Sequence, residues 1–404
     1  MTRRTWVAVG LALMMLLGLT LGGQAWGVQT PTDSRQRPNT GTQPRGLTRD
    51  PADASKPPRI LADAALLMDG RTGKVLLDKN GRRKMAPAST TKVMTAIVAI
   101  EQGNLGDVVE VSRRAASLPG STMGLRAGTH YTLRELLDGL LLRSGNDAAV
   151  AIAEHVAGTV DDFVAKMNEK AIDIGAVSTH FTNPHGLDNP DHYTTVEDMA
   201  LMTRYAMKLP LFAEIVSSKE RSVEPEDKKG EQLLRNTNKL LWLYSWADGV
   251  KTGTTGRAGR CLVASATRDG QRLIAVVFRS SDRWQDAIRL LEFGYKNFAT
   301  VVVAGVGAKM ETVRVRGGES DRLVLELGEE LAVVLPRQAG EVPAVEMQVE
   351  VDRVLKAPLY RGQLVGMVYA LSNGRVVGHA PLVAADSVPR WTPWGALRRF
   401  FTNL

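Results

Sequence analysis

The 404-residue sequence predicts an α+β domain followed by a smaller all-β module. Three observations carry that prediction. Apolar hairpin patterns lie at two places far apart in the chain, helical periodicity fills the interval between them, and short valine-rich alternation takes over after Thr300. Strands at both ends with helices between them imply one antiparallel sheet assembled from the two ends of the segment, with helices packed on it.

The first residues stand apart from this pattern. Arg3 and Arg4 precede an apolar run from Trp6 to Leu21, and Ala25-Trp26-Gly27 offers small residues around a large one. Residues 1–27 therefore read as a cleaved export signal. The alternative is a membrane anchor, for which the run is short and lacks a basic cluster behind it. The Arg3-Arg4 pair leaves general and twin-arginine export open. Residues 28–58 are rich in Thr, Pro, Gln, Asp and Arg, cannot bury enough surface to offset ordering, and read as a flexible tether.

Folded structure is expected over 59–300 first. Ala64-Ala65-Leu66-Leu67-Met68-Asp69 and Lys74-Val75-Leu76-Leu77-Asp78 flank a Gly-containing loop, which makes a hairpin. A second hairpin joins Cys261–Thr267 to Gln271–Phe278 through Asp269-Gly270. Between them Thr132-Leu133-Arg134-Glu135 is a capping box leading into Leu133, Leu136, Leu137, Leu140 and Leu141 on one helical face. Thr194-Thr195-Val196-Glu197 opens another helix in the same way. Asn146–Val156, Asp161–Ile174 and Trp284–Phe298 also read as helices. Residues 301–386 form the β-rich domain. In 387–404, Trp391, Trp394, Leu397, Phe401 and Leu404 face away from Arg398, Arg399, Thr402 and Asn403, as in a helix lying in a membrane interface. A terminal helix packed on its own domain is the alternative.

Composition narrows the functional classes. Hydrophobic residues make up 44% and charged residues 23%, ordinary for a globular protein. The net charge is +8, of which Arg3 and Arg4 supply two units. That excess suits anionic membrane or wall polymers. No basic stripe is interleaved with aromatics, so nucleic acid is not an expected partner. Cys261, the single cysteine, sits in an apolar run and reads as a buried strand residue. His180, His185 and His192, with Asp188 and Asp191, fit no zinc spacing such as H-E-x-x-H, so neither metal nor cofactor is expected.

Three motifs carry chemistry. Ser89-Thr90-Thr91-Lys92 starts a helical pattern, and residues three apart share a helix face, so the hydroxyl and the amine can meet. A serine hydroxyl needs a base to become a nucleophile, and lysine serves once burial or a nearby cation depresses its pKa. Ser144-Gly145-Asn146 falls at a break between helices. Lys251-Thr252-Gly253 lies at the start or edge of a strand, where Gly253 lets a substrate backbone approach and Lys251 adds positive charge. Each alone is common: a capped helix, a turn, a solvated loop lysine. The order S-x-x-K, S-x-N, K-T-G is specific.

With Pro87-Ala88 before Ser89, Asp147-Ala148 after Asn146, Asn183-Pro184-His185-Gly186-Leu187, and Thr254-Thr255 after Gly253, the chain resembles the low-molecular-mass penicillin-binding proteins, serine D-Ala-D-Ala carboxypeptidases of peptidase type S11. The resemblance covers Leu61 to Leu404. It implies a serine β-lactamase/DD-transpeptidase-like domain, a small β domain and a C-terminal amphipathic anchor at the outer face of the cytoplasmic membrane. It also implies residue roles. Ser89 is the nucleophile and Lys92 its base, Ser144 relays protons, and Asn146 orients the substrate amide. Lys251, Thr252 and Gly253 line the opposite wall. The backbone N–H groups of Ser89 and Thr254 form the oxyanion hole, and Arg283 holds the substrate's terminal carboxylate. Peptidoglycan stem peptides are the implied substrate and β-lactams the implied covalent inhibitors. A class A β-lactamase fits less well, since no E-x-x-L-N string lies between Asn146 and Lys251 and the middle motif is S-G-N. A DD-endopeptidase and a non-catalytic wall-binding scaffold are the remaining alternatives.

Overall fold

The computed structural model describes residues 56–224, 230–338 and 340–393. The strands Ala64–Asp69, Val75–Lys79, Gln271–Phe278, Gly259–Arg268 and Ala247–Thr255 form one five-stranded sheet. Every neighbouring pair is antiparallel. Ala64–Asp69 pairs with Gln271–Phe278, Ala65 opposite Val277, so the two sequence-distant hairpins meet at the sheet centre. Ala247–Thr255, which carries Lys251-Thr252-Gly253, is an edge strand.

Both sheet faces are covered, which is why the central strands read as continuous apolar runs. Ala64, Leu66, Met68, Cys261, Val263, Ile274 and Val276 point into the larger core with the helices. Ala65, Leu67, Leu262, Ala264, Leu273, Ala275 and Val277 point into a second core under the helix Arg283–Asn297. Cys261 is fully buried and unpaired, as a small core residue.

The helix Lys92–Gln102 runs through the larger core, with Lys92 to Ala99 all buried. Asn146–Ala157, Val160–Ile174 and Val196–Ala206 pack around it. Several boundaries differ from the sequence expectation. The capping box on Thr132 and Glu135 is present, but its α-helix ends at Asp138. Gly139–Arg143 then widens into a π turn that stops at Ser144, which is left-handed at φ 61°. Met123 explains part of this: a Cβ on Gly139 would sit 2.1 Å from its Sδ. The cap of Val196–Ala206 is Thr195, accepting from Asp198 N, one residue later than expected. Thr194 instead exchanges backbone hydrogen bonds with Met85. Thr159 caps Val160–Ile174, and Arg283 lies inside the closing helix, behind the Asp282 cap, rather than ahead of it.

Beyond Phe298, a two-stranded pair and a six-stranded sheet enclose a separate apolar core that includes Leu325, Val368, Ala370 and Leu382. Arg71 pairs with Glu330 at 2.7 Å, and Lys74 Nζ donates to Val334 O, so the turn of the first hairpin rests on this module. Trp394 to Leu404, most of the expected amphipathic helix, lie outside the described residues, as do the expected signal and nearly all of the tether. Among the described residues no helix is long and apolar enough to cross a membrane.

Asp286 ties the start of the fold to its closing helix. This fully buried carboxylate accepts from Leu61 N at 3.0 Å, Ala62 N at 2.9 Å and Ser280 Oγ at 2.7 Å. Asp286→Ala leaves the buried Ala62 N and Ser280 Oγ without this acceptor. It is expected to lower unfolding free energy by about 3 kcal/mol in urea titration, whereas Asp282→Ala, which removes one exposed cap, costs about 1 kcal/mol.

Candidate active site

The nucleophile motif begins in a strained turn. Ala88 is left-handed at φ 49°, and Ala88–Thr91 forms a 3-10 turn before the α-helix starts at Lys92. Thr90 Oγ1 donates to Pro87 O and Thr91 Oγ1 to Ala88 O, both at 2.8 Å, which holds the turn. Ser89 is therefore one 3-10 turn ahead of the helix rather than on its first α turn. The i, i+3 relation survives, because i and i+3 eclipse in a 3-10 helix. Lys92 Nζ lies 3.1 Å from Ser89 Oγ.

The Lys92 amine is enclosed. It is 0% exposed and has two further acceptors at 2.7 Å, Asn146 Oδ1 and the His185 carbonyl. Burial is the main cause that pushes its pKa well below the ordinary lysine value; the Lys251 charge adds to it and Asp147 opposes it. A neutral amine has two N–H groups and one lone pair. Asn146 and His185 take the two protons, so the lone pair is left for the Ser89 hydroxyl.

Asn146 is the first residue of its helix and is held from both sides. Its Nδ2 donates to Pro119 O at 2.6 Å and its backbone N to Ser121 O at 2.8 Å. The next residue fixes the loop that supplies those carbonyls. Asp147, 1% exposed, accepts from the Thr122 hydroxyl and from the backbone N of Met123, Gly124 and Leu125. Ser144 is 5% exposed on the same rim, and its hydroxyl makes no hydrogen bond among the described residues.

The opposite wall is the edge strand. Lys251 is buried, and burial, with help from Arg283, lowers its pKa to about 7. Thr252 Oγ1 lies 3.1 Å from Thr237 Oγ1. Gly253 has a different reason from the one expected. A Cβ there would lie 2.9 Å from Pro87 O and 3.1 Å from Ser89 N, so the glycine admits the nucleophile's own turn. Thr254 is exposed beside it. Arg283 Nη1 donates to Gly253 O, Thr254 Oγ1 and Cys261 O at 3.0–3.1 Å. The arginine thus fastens the closing helix to the end of the cleft, with its guanidinium 4.7 Å from the Trp284 ring centroid.

The loop 183–188 closes the floor. Asn183 Oδ1 accepts from Gly186 N at 2.7 Å, and Thr95 Oγ1 donates to Pro184 O, which aims the His185 carbonyl at Lys92. Gly186 has φ 86°, and its Cβ would sit 2.0 Å from Ala88 O. The histidines here serve structure. Thr182 N donates to His192 Nδ1 at 3.0 Å, so Nε2–H faces Thr91 Oγ1 at 2.8 Å. Leu187 N donates to His185 Nδ1, and His180 Nδ1 faces Asp191 O. The structure brings Ser89, Lys92 and Asn146 together and sets Gly253 against the Ser89 turn. The sequence motifs did not point to the Pro119 and His185 carbonyls or to Thr237, and only Asp147, one residue from a motif, offered a signal.

A serine beside a buried amine, facing an edge strand that carries a second lysine, is an arrangement suited to serine acyl transfer. A D-alanyl-D-alanine carboxypeptidase profile, peptidase S11, matches residues 51–282, and a penicillin-binding protein 5 C-terminal domain profile matches 298–390. The chain belongs to the peptidase S11 D-alanyl-D-alanine carboxypeptidase family, as a serine-type hydrolase with the appended β domain. It is 35% identical over 338 residues to the D-alanyl-D-alanine carboxypeptidase DacF of Bacillus subtilis, covering 81% of this chain and 86% of that one. It is 35% identical over 347 residues to DacC of Escherichia coli, with 82% and 85% covered. The structure of penicillin-binding protein 5 from Haemophilus influenzae superposes with a TM-score of 0.73 at 34% identity, covering 83% of this chain and 99% of that one.

Burial lowers the His185 pKa to about 3 and that of His192 to about 4, from 6.5. Both groups bind fewer protons folded than unfolded in that window, so the stability they confer is complete above 6.5 and is lost as pH falls toward 4. Thermal melts are expected to show a decline in Tm below pH 6.5 that is shallower in His192→Gln, which keeps a donor toward Thr91 without titrating. An equal decline in both proteins would contradict this.

Proposed function

We propose that the chain removes the terminal D-alanine from peptidoglycan stem pentapeptides through an acyl-enzyme on Ser89, and that β-lactams acylate the same serine. The observation that carries this reading is the valence of Lys92: two carbonyl oxygens at 2.7 Å occupy its protons, which leaves a lone pair for Ser89. The Ser89 hydroxyl proton passes to Lys92 Nζ as Oγ bonds to the penultimate D-alanine carbonyl carbon. The carbonyl oxygen becomes an anion between the N–H groups of Ser89 and Thr254, donors that typically contribute about 3–4 kcal/mol each. The C–N bond then breaks, and the proton on Lys92 reaches the leaving nitrogen through Ser144. Water adds to the ester with the same base, and the Ser89–carbon bond breaks to release the shortened peptide.

The substrate's C-terminal carboxylate meets Lys251, Thr252 and Arg283 in this scheme, while Asn146 orients the amide of the acyl part. The exported location rests on the leader pattern of residues 1–27. Attachment to the outer face of the cytoplasmic membrane rests on the aromatic periodicity from Trp391 onward, of which Trp391 is exposed. The division at 59–300 and 301–386 draws support from the separate apolar cores, while the strand Phe298–Ala304 straddles its boundary.

D-Alanine release from a synthetic pentapeptide tests the mechanism. Ser89→Ala and Lys92→Ala are each expected to reduce kcat by at least about a thousandfold with circular dichroism unchanged. Release that persists in Ser89→Ala, or is absent in the wild type, would overturn the reading.

A further inference from the structure

A second cavity, of about 310 Å³, is bounded by two segments that run into the proposed active site. One wall is the segment from Arg83 to Ala86, which leads directly into Pro87 and Ser89; the other includes Arg257, two residues beyond the Thr255 end of the edge strand. Arg83, Lys84, Arg257 and Arg279 line it, all exposed, with Tyr193 beside them and no acid among the described lining residues. Asp63, nearby, is shared at 3.7 and 3.8 Å between Arg83 and Arg279. Among the described residues, Lys84 lies over the Tyr193 ring, 4.3 Å away, with no ion pair. Arg257 donates to the carbonyls of Asn189 and Pro190, contacts that fix its guanidinium without neutralising it. Asp188 also stands by, accepting from Arg257 N at 3.1 Å, so four cations against two nearby carboxylates leave a positive basin.

An extended peptide that docks on an edge strand runs along it at about 3.3 Å per residue. With its terminal carboxylate near Lys251 and Arg283, its upstream residues pass Thr255 and reach Arg257. We infer that this basin is a subsite for a carboxylate carried by the substrate upstream of its D-alanyl-D-alanine end, and that it sets a preference for acidic over amidated acyl-donor peptides. The inference rests on the carboxypeptidase reading above and names part of that site's specificity.

The test compares kcat/KM of the full chain for two peptides ending in D-Ala-D-Ala, one with a free upstream carboxylate and one with that carboxylate amidated. Wild type is expected to favour the free acid by about fivefold at low salt, with the ratio shrinking as salt is raised. Arg83→Gln/Lys84→Gln is expected to bring the ratio to about one, through KM for the acidic peptide, while turnover of the amidated peptide and acylation by a fluorescent penicillin stay at wild-type values. Arg83→Glu/Lys84→Glu is expected to invert the preference. A wild-type ratio of one, or a ratio unchanged in both double variants, would overturn the subsite while leaving the carboxypeptidase reading intact. Release from neither peptide by the wild type would overturn that reading, and the subsite with it.

Discussion

An amine removed from water has to be neutral or paired, and this site is built around one such amine, Lys92. Burial depresses its proton affinity, and the neighbouring Lys251 charge does the same. The surrounding acceptors then decide which way the remaining lone pair points. Asn146 Oδ1 and the His185 carbonyl come from separate elements, so the helix carrying Asn146 and the loop carrying His185 must both be seated before Ser89 faces a base. A half-satisfied arrangement would be worse than an apolar one, which explains the effort spent on the supports. Asp147 gathers the loop 122–125, that region supplies carbonyls to Asn146, and Asn183 and Thr95 hold the other loop in place.

Closeness is the second constraint. Gly253 and Gly186 each stand where a side chain would strike the backbone of the 87–89 segment. The nucleophile's turn is thus wedged between the edge strand and the floor loop, and both walls approach it at backbone distance. Only the edge of a sheet could meet this demand, because an interior strand would have a neighbour where the substrate must dock. The topology that joins the first and last hairpins leaves Ala247–Thr255 at that edge.

The hairpins, the main helices and the three motifs were legible because each depends on local periodicity or on residues three apart. The pairing of Ser89 with Lys92 followed from their i, i+3 spacing. Lys251-Thr252-Gly253, expected at the start or edge of a strand, lies inside the strand Ala247–Thr255, and only the topology puts that strand at the sheet edge. What stayed hidden is made by backbone atoms or by tertiary crowding. The His185 and Pro119 carbonyls carry no residue-specific signal. Gly139, which opens the π turn before Ser144, is packed against Met123 from another segment, and the meaning of Gly253 depends on Pro87. Thr194 looked like a cap until its backbone was taken by Met85, which moved the role to Thr195. The basic cavity joins residues from the start, middle and end of the catalytic domain, and no single window of sequence displays it.

The cations of the cleft are coupled. Burial lowers the proton affinity of Lys92, and burial with the Arg283 charge brings Lys251 to about 7. In the proposed mechanism an arriving carboxylate stabilises the proton on Lys251. A charged Lys251 in turn keeps Lys92 neutral, which is the form that can accept the Ser89 proton. Binding of the correct terminus therefore prepares the base, whereas a peptide lacking a carboxylate leaves Lys251 free to lose its charge. Two buried lysines cost folding stability, and in the proposed mechanism the coupling between them ties recognition of the substrate's charge to activation of its attacker.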